Sequence, residues 1–544
     1  MRSRPIPIPA RVAALAIPAL LAVAWLPPVT HAQDAGRTLS IAFASDISTF
    51  DPAIGYDALA FPVEHALYDT LVTYDAGTTL VPGLAAAMPT ISEDGLTYTF
   101  DIRPDVPFVR KGEVVRDVTA QDVVFSLNRL LRPDLVPTPS PVGPSFFSVI
   151  EGAGDVLSGA STAATGIRAI DDDTVEITLD HPDRTFLNAL ALPFGSIVPE
   201  ELAGLDAGAF AADPVGTGPF YLDAYAPGER VVLKRNPHYW REGYPKADAI
   251  EMRLGVDPSV QLLQVQGGAL DMMGNNIATA DWNAVTSDPA FADRVVSSEL
   301  IATNWMAMDT SGPDSPFADP LVRQAVSHAI DKSNLIRLQN GRGVAADCIF
   351  PTQLPGFDPA CDPYPYDVER ARALMAEAGN TGFSTKLYTD TSAAGPPAGA
   401  SIAADLAKIG IDVEVVSLDF GALMGTVTTP HGAPMSLIGW GQDFPDPSDF
   451  VDPMFTCASA VEGGVNVAWY CDPAVDQAAD AARQVTDLDE AIPLYQDIQS
   501  TIMAAAPVVP LQFPTQDGLI SERVTGFEEY HPVWLWDFAT IGVE

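Results

Sequence analysis

Three consecutive pieces of this chain decide the fold class. They are Lys386-Leu387-Tyr388-Thr389, then Ser401-Ile402-Ala403-Ala404-Asp405-Leu406-Ala407-Lys408-Ile409-Gly410, then Ile411-Asp412-Val413-Glu414-Val415-Val416-Ser417-Leu418. The first and last are rich in β-branched and aromatic residues and suit a pleated strand. The middle piece spaces its apolar residues for a helix, which Gly410 stops. A strand, a helix and a strand in that order imply parallel pairing with a crossover, so the second half of the chain is expected to be α/β. Two more helices frame this unit. Asp319 caps one, with Pro320 at its first position and Val322, Ala325, Val326, Ala329 and Ile330 on one face. The other runs over 367–379 with a cap at each end.

Working towards the N-terminus, the pattern changes to antiparallel strands and loops. Asp94-Gly95 is a turn signal, after which Leu96, Tyr98, Phe100 and Ile102 alternate with Thr97, Thr99 and Asp101. Val175, Ile177 and Leu179 alternate with polar residues in the same way. Between them a helix opens at Thr119 with Asp122 three residues on, in the manner of a capping box, and presents Ala120, Val123, Val124, Leu127 and Leu131 on one face. The proline-rich stretch 133–144 is a loop. Gly216-Thr217-Gly218 could suggest a phosphate cradle, but Pro219 follows at once and the next residues are strand-like, so a tight turn into a strand is expected.

Composition bounds the function. The chain has 544 residues, enough for more than one core, and carries 29 Lys+Arg against 71 Asp+Glu for a formal charge of −42. Such a surface repels phosphate backbones, so no nucleic-acid partner is expected. A hydrophobic fraction of 47% excludes a disordered acidic chain. At the N-terminus, Arg2, Arg4 and Arg11 precede an apolar run over 12–26, and Thr30-His31-Ala32 offers small residues for cleavage. Residues 1–32 thus read as a cleavable signal. No Cys lies near the cut, so the expected product is exported and not a lipoprotein.

Export favours disulfides among the four cysteines. Cys348 and Cys361 are 13 apart and Cys457 and Cys471 are 14 apart, neither spacing that of a zinc site. Two local bridges are the expected pairing of the three available; free buried thiols are the alternative. Enzyme signatures are missing: no Ser sits in G-x-S-x-G, no Lys has a Ser three residues before it, and no His is followed by Glu. No catalytic residue, cofactor or metal site is expected.

The acidic segment Asp443, Asp446, Asp449 and Asp452 is interleaved with prolines. It reads either as Asp-Pro turns on a solvated loop or as a functional stretch, and it lacks EF-hand spacing for calcium. Its setting singles out Asp443. An apolar strand runs through Gly439-Trp440-Gly441, where the two glycines allow close backbone approach on both sides of the indole, and the carboxylate follows three residues later. An aromatic wall beside a carboxylate suits a ligand bearing a positive amine.

The chain resembles the family 5 extracellular solute-binding proteins of ABC importers, whose best-known members bind dipeptides and oligopeptides. The resemblance rests on Asp51-Pro52, Leu67-Tyr68-Asp69-Thr70-Leu71, the 94–100 and 119–126 stretches, and Val322-Arg323-Gln324-Ala325-Val326. Its most specific element is Gly216-Thr217-Gly218-Pro219-Phe220 followed by Asn236-Pro237-His238-Tyr239-Trp240. It implies a two-lobed α/β periplasmic binding protein of class II type with an extra subdomain in the first lobe. The implied limits are 33–297 for the first lobe, with the insert at about 76–190, then 298–514 for the second, and 515–544 returning to the first. It further implies a monomer that takes a small peptide or similar solute, delivers it to an inner-membrane permease and resides in the periplasm. In peptide-binding members a W-x-x-D supplies the Asp that pairs with the ligand's α-ammonium; Trp440-Gly441-Gln442-Asp443 fits it, and Cys457 and Cys471 match a disulfide of dipeptide-binding members. Tyr56 and Trp305 are expected in the cleft. Residues 108–113 depart from the family pattern, so nothing is carried over from them. Opines, glycosides, haem or nickel chelates are alternative cargoes, and a secreted hydrolase is the remote alternative.

Overall fold

The computed structural model describes residues 37–544; the expected signal peptide lies outside the described residues. Two sheets organise the chain. The five-stranded sheet has the order Phe220–Ala226, Arg230–Arg235, Ala249–Arg253, Thr38–Ala42, Met272–Met273. The six-stranded sheet has the order Val344–Ala345, Val508–Phe513, Ala302–Met308, Met435–Gly441, Phe383–Asp390, Ile411–Leu418. In the second sheet, Phe383–Asp390 and Ile411–Leu418 pair in parallel, and the helix Gly395–Ala407 crosses between them. This is the expected strand–helix–strand unit. Its helix begins six residues earlier than the apolar periodicity suggests, because Pro396 and Pro397 fit the first turn, where no N–H is needed.

The expected half-buried strands also form and find each other. Thr97–Asp101 pairs antiparallel with Thr174–Thr178, setting Tyr98 opposite Ile177 and Phe100 opposite Val175. Together with Thr90–Ile91 and Ile167–Ala169 they make a separate four-stranded sheet. The helix Ala120–Leu131 closes over it with the expected capping box, in which Asp122 Oδ2 accepts from the Thr119 N–H at 2.9 Å. This insert has its own sheet but shares one continuous core with the five-stranded sheet. Residues 108–113 lie in a hairpin of Pro107–Arg110 with Glu113–Asp117.

The chain crosses between the lobes side by side. Val295–Glu299 pairs antiparallel with Thr515–Leu519, and beyond that pair Trp534, Trp536, Phe538 and Ile541 are buried in the first core. On that ground we propose lobe limits at 297/298 and 514/515.

The Gly-Thr-Gly-Pro block is structural. A Cβ at Gly218 would collide with the backbone of Leu67, so the turn can lie against the end of the helix Ala60–Leu67 only without side chains. Thr217 Oγ1 donates to Asp69 at 2.7 Å and Trp240 Nε1 donates to the same carboxylate at 3.2 Å, while Asn236 Nδ2 donates to Gly218 O at 2.9 Å. Two motifs thus converge on one half-buried acid, Asp69. The structure joins Cys348 to Cys361 and Cys457 to Cys471, the expected local pairing. Among the described residues no helix is long and apolar enough to cross a membrane.

Candidate functional site

The strand Met435–Gly441 runs antiparallel to Ala302–Met308 and ends at the crevice between the lobes. Asp443 follows two residues later. Its backbone N–H donates to Asp449 Oδ2 at 2.8 Å, which aims the Asp443 side chain away from its own lobe. There the Tyr56 hydroxyl, from the first lobe, reaches both carboxylate oxygens at 2.9 and 3.0 Å. The two lobes therefore meet through a phenol and a carboxylate. Nearby, Gln442 Nε2 donates to Pro532 O at 2.8 Å and Arg184 grips Asp446 at 2.8 to 3.1 Å, both again between lobes.

Burial raises the Asp443 pKa to about 7, and the Tyr56 hydroxyl only partly offsets this. Asp449 is pushed well above the usual carboxylate range, first by burial and then by Asp443. Burial, followed by Asp443, drives the Tyr56 phenol far up, so it stays a donor. A carboxylate held this way in a closed crevice gains most from a cation that pairs with it.

Three adjoining cavities line the crevice. The first, of about 330 Å3, is bordered by Tyr56, Phe61, Ala302, Asp443 and Trp534. It shares Asp57, Ala58 and Leu535 with the second, a space of about 950 Å3 with mixed polar and apolar lining. The third, of about 460 Å3, opens on the second through Asn304, Gln339 and residues 392–394 and runs into the second lobe beneath Trp440.

The expected residues divide among these spaces. Asp443, Tyr56 and Gly441 border the first cavity; Trp440, Gly439 and Trp305 border the third. Trp440 is therefore not a wall beside the Asp443 carboxylate: its Nε1 donates to Asp449 at 3.2 Å, so it positions Asp443 indirectly while its ring faces the apolar chamber. The aromatic beside the carboxylate is Tyr56. Trp305 is only 1% exposed and packs on Phe455 with ring centroids 5.9 Å apart. Close approach holds on one side of Trp440 alone. A Cβ at Gly439 would collide with Asn304 Oδ1, whereas one at Gly441 would meet Ala302 Cβ at an ordinary 3.8 Å.

The acidic segment is not a solvated loop. Asp446 and Asp449 are buried, and each of the four carboxylates has its own protein partner: Tyr56, Arg184, Trp440 and Arg483 respectively. Among the described residues no group of acidic, His and Cys side chains is placed to hold a metal ion. Sequence reasoning missed Asp449 as the organiser of Asp443, the 532–535 loop that walls the first cavity, and the apolar chamber. The W-x-x-D spacing gives Asp443 away, but residues 56, 443 and 534 come together only in space.

Comparisons with known proteins agree with this architecture. The family model described as "Bacterial extracellular solute-binding proteins, family 5 Middle" matches residues 79–461. A di/tripeptide-binding protein 2 of Pseudomonas aeruginosa is 31% identical over 533 residues, covering 93% of this chain and 95% of that protein. Heme-binding protein A of Haemophilus influenzae is 28% identical, covering 88% of this chain and 87% of that protein. An ABC transporter-associated periplasmic binding protein from Helicobacter pylori, solved with the peptide STSA, superposes with a TM-score of 0.79 at 28% identity, covering 94% and 98% of the two chains. Its two-lobed periplasmic-binding-protein fold is the fold of this chain. The chain belongs to the family 5 bacterial extracellular solute-binding proteins.

Proposed function

We propose that this chain is the periplasmic receptor of an ABC importer. It closes on a small peptide, or a similar solute bearing a positive amine, and presents it to an inner-membrane permease; it carries out no chemistry on the cargo. The observation that carries this reading is the Asp443 carboxylate, set across the crevice from Tyr56 at 2.9 Å and buried enough to raise its pKa to about 7. A hinged protein is drawn shut only by a ligand that binds the closed state better than the open one. Closing on an uncompensated carboxylate is unfavourable, and an ammonium group that displaces the Tyr56 hydroxyl removes that penalty. Di/tripeptide binding by the Pseudomonas aeruginosa relative and the peptide in the Helicobacter pylori structure support the cargo class.

The test is the pH dependence of binding. The ammonium pairs with the ionised form of Asp443, whose pKa in the crevice closed against Tyr56 is raised to about 7. Affinity for an amine-bearing dipeptide therefore peaks between about pH 7 and pH 8, since the peptide's own α-amino group loses its proton near pH 8. Below that window, affinity falls by about tenfold per pH unit until the bound-state pKa is reached, because each unit of pH shifts the ionised fraction tenfold. Calorimetry from pH 5 to pH 8.5 checks this, with the peptide recovered intact after the titration. A flat profile, or hydrolysed peptide, would overturn the reading.

A further inference from the structure

The three cavities hold a lopsided set of charges. Among the described residues lining them, the acids are Asp46, Asp57, Asp390, Asp443 and Asp517, and the one base is Arg342. That base is already committed. Arg342 Nη1 donates to Ile277 O at 2.8 Å and lies 3.5 Å from Asp517 Oδ2; its Nε donates to Gln339 O at 3.2 Å and its Nη2 to Thr279 Oγ1. Its guanidinium also covers the Trp282 ring, 5.1 Å from the centroid. It is a buried joint between segments, with four of its five N–H donors already engaged.

A helix N-terminus could take over the role of a missing cation, since its free N–H groups attract carboxylates. Each of the five helices that begin at these cavities carries an acid or prolines at its start, which disfavours an anion there. Asp57 accepts from the N–H groups of Leu59 and Ala60 at the start of Ala60–Leu67. Pro258–Gln266 opens with a proline and is capped by Asp257. Asp419 caps Phe420–Val427. Thr279–Ser287 carries Asp281 in its first turn. The helix Gly395–Ala407 points its start into the crevice, but Pro396 and Pro397 have no N–H, and the Gly395 N–H is held by Ser392 Oγ at 3.3 Å. A ligand carboxylate would find at most the one remaining N–H of a buried arginine and a helix start that carries an acid, among five groups of its own sign.

The far chamber asks for the opposite of a carboxylate. Its lining is largely apolar, with Leu335, Leu338, Leu423, Met424, Leu437 and Val465 around Trp440, and Asp390 as its one charge among the described residues. A volume of about 460 Å3 accommodates an aromatic or large aliphatic group.

We infer that the cognate solute is a net cation: an amine that carries a bulky apolar side group and has no free carboxylate, as in a peptide with a blocked C-terminus. This rests on the reading of Asp443 as the partner of the amine. Discrimination comes as much from what the crevice repels as from what it holds.

Calorimetry on the mature full-length chain, freed of co-purified solute, tests the inference with four probes at pH 8. Alanyl-phenylalanine amide is expected to bind at least about tenfold more tightly than alanyl-phenylalanine with a free carboxylate, the modest end of what an unpartnered buried charge costs. It should also bind at least about tenfold more tightly than alanyl-glycine amide, which leaves the apolar chamber empty. A free acid that binds as well as the amide, or better, overturns the inference while leaving the amine reading intact. Equal binding by alanyl-glycine amide removes the bulky group from the assignment. If N-acetyl-alanyl-phenylalanine amide binds as well as alanyl-phenylalanine amide, or if none of the three free amines binds, the amine reading itself fails and the inference goes with it.

Discussion

Asp443→Asn lowers affinity for a small amine-bearing peptide at pH 8 by about 30-fold or more. Removing one member of a buried, hydrogen-bonded charge pair costs about 2–5 kcal/mol at an interface, and about 1.4 kcal/mol is a factor of ten in affinity. Asparagine keeps the shape and can still accept from the Tyr56 hydroxyl, so the loss isolates charge from packing. The free protein should not be weakened. Because burial raises the folded-state pKa to about 7, the Asp443 carboxyl costs stability increasingly as pH rises from its unfolded value of about 4 and fully above pH 7, and the neutral amide relieves this. The same substitution should abolish the pH dependence of binding between pH 5 and 7. An N-acetylated peptide, which has no ammonium group, should be insensitive to it. Unchanged affinity in Asp443→Asn would remove the carboxylate from the recognition site.

Arg129→Met is expected to cost the first lobe about 3–5 kcal/mol of stability, the usual penalty for breaking a buried ion pair from one side. Asp51 is 0% exposed and Arg129 is 2% exposed. The guanidinium meets the carboxylate in parallel at 2.5 and 2.7 Å, and Arg129 Nε also donates to Gly204 O at 2.7 Å. A second buried acid lies close. Glu64 has no hydrogen-bond partner for either carboxylate oxygen, and its pKa is pushed well above the usual range by burial, then by Asp51 and Asp57. With Arg129 gone, Asp51 stays buried without its counter-ion and beside another carboxyl. The urea midpoint should fall clearly in Arg129→Met and recover in the double variant Arg129→Met/Asp51→Asn, where no charge is stranded. Glu64→Gln, which removes an ionisable group that already lacks a partner, should leave the midpoint unchanged or raise it. A midpoint unmoved by Arg129→Met would mean that solvent reaches Asp51.

Local chemistry determined much of this protein before any folding is considered. The capping box at Thr119, the proline-started helix behind Asp319, the Leu96–Ile102 alternation and the strand–helix–strand order around Gly410 all form as the residues suggest, though the crossover helix starts six residues earlier, because caps, turns and apolar periodicity act over a few positions. The W-x-x-D pattern of the family resemblance points to Asp443. What Trp440 does beside it is not legible at that range. An indole three residues from a carboxylate can touch it or turn away, and only the strand partner and the buried Asp449 decide which. The tertiary structure alone set Tyr56 opposite Asp443 across 387 residues of chain, engaged Arg342 between segments and hollowed an apolar chamber beneath Trp440. Such features arise where segments with no local relation share one space, so their energies depend on burial and neighbours that no stretch of sequence carries by itself.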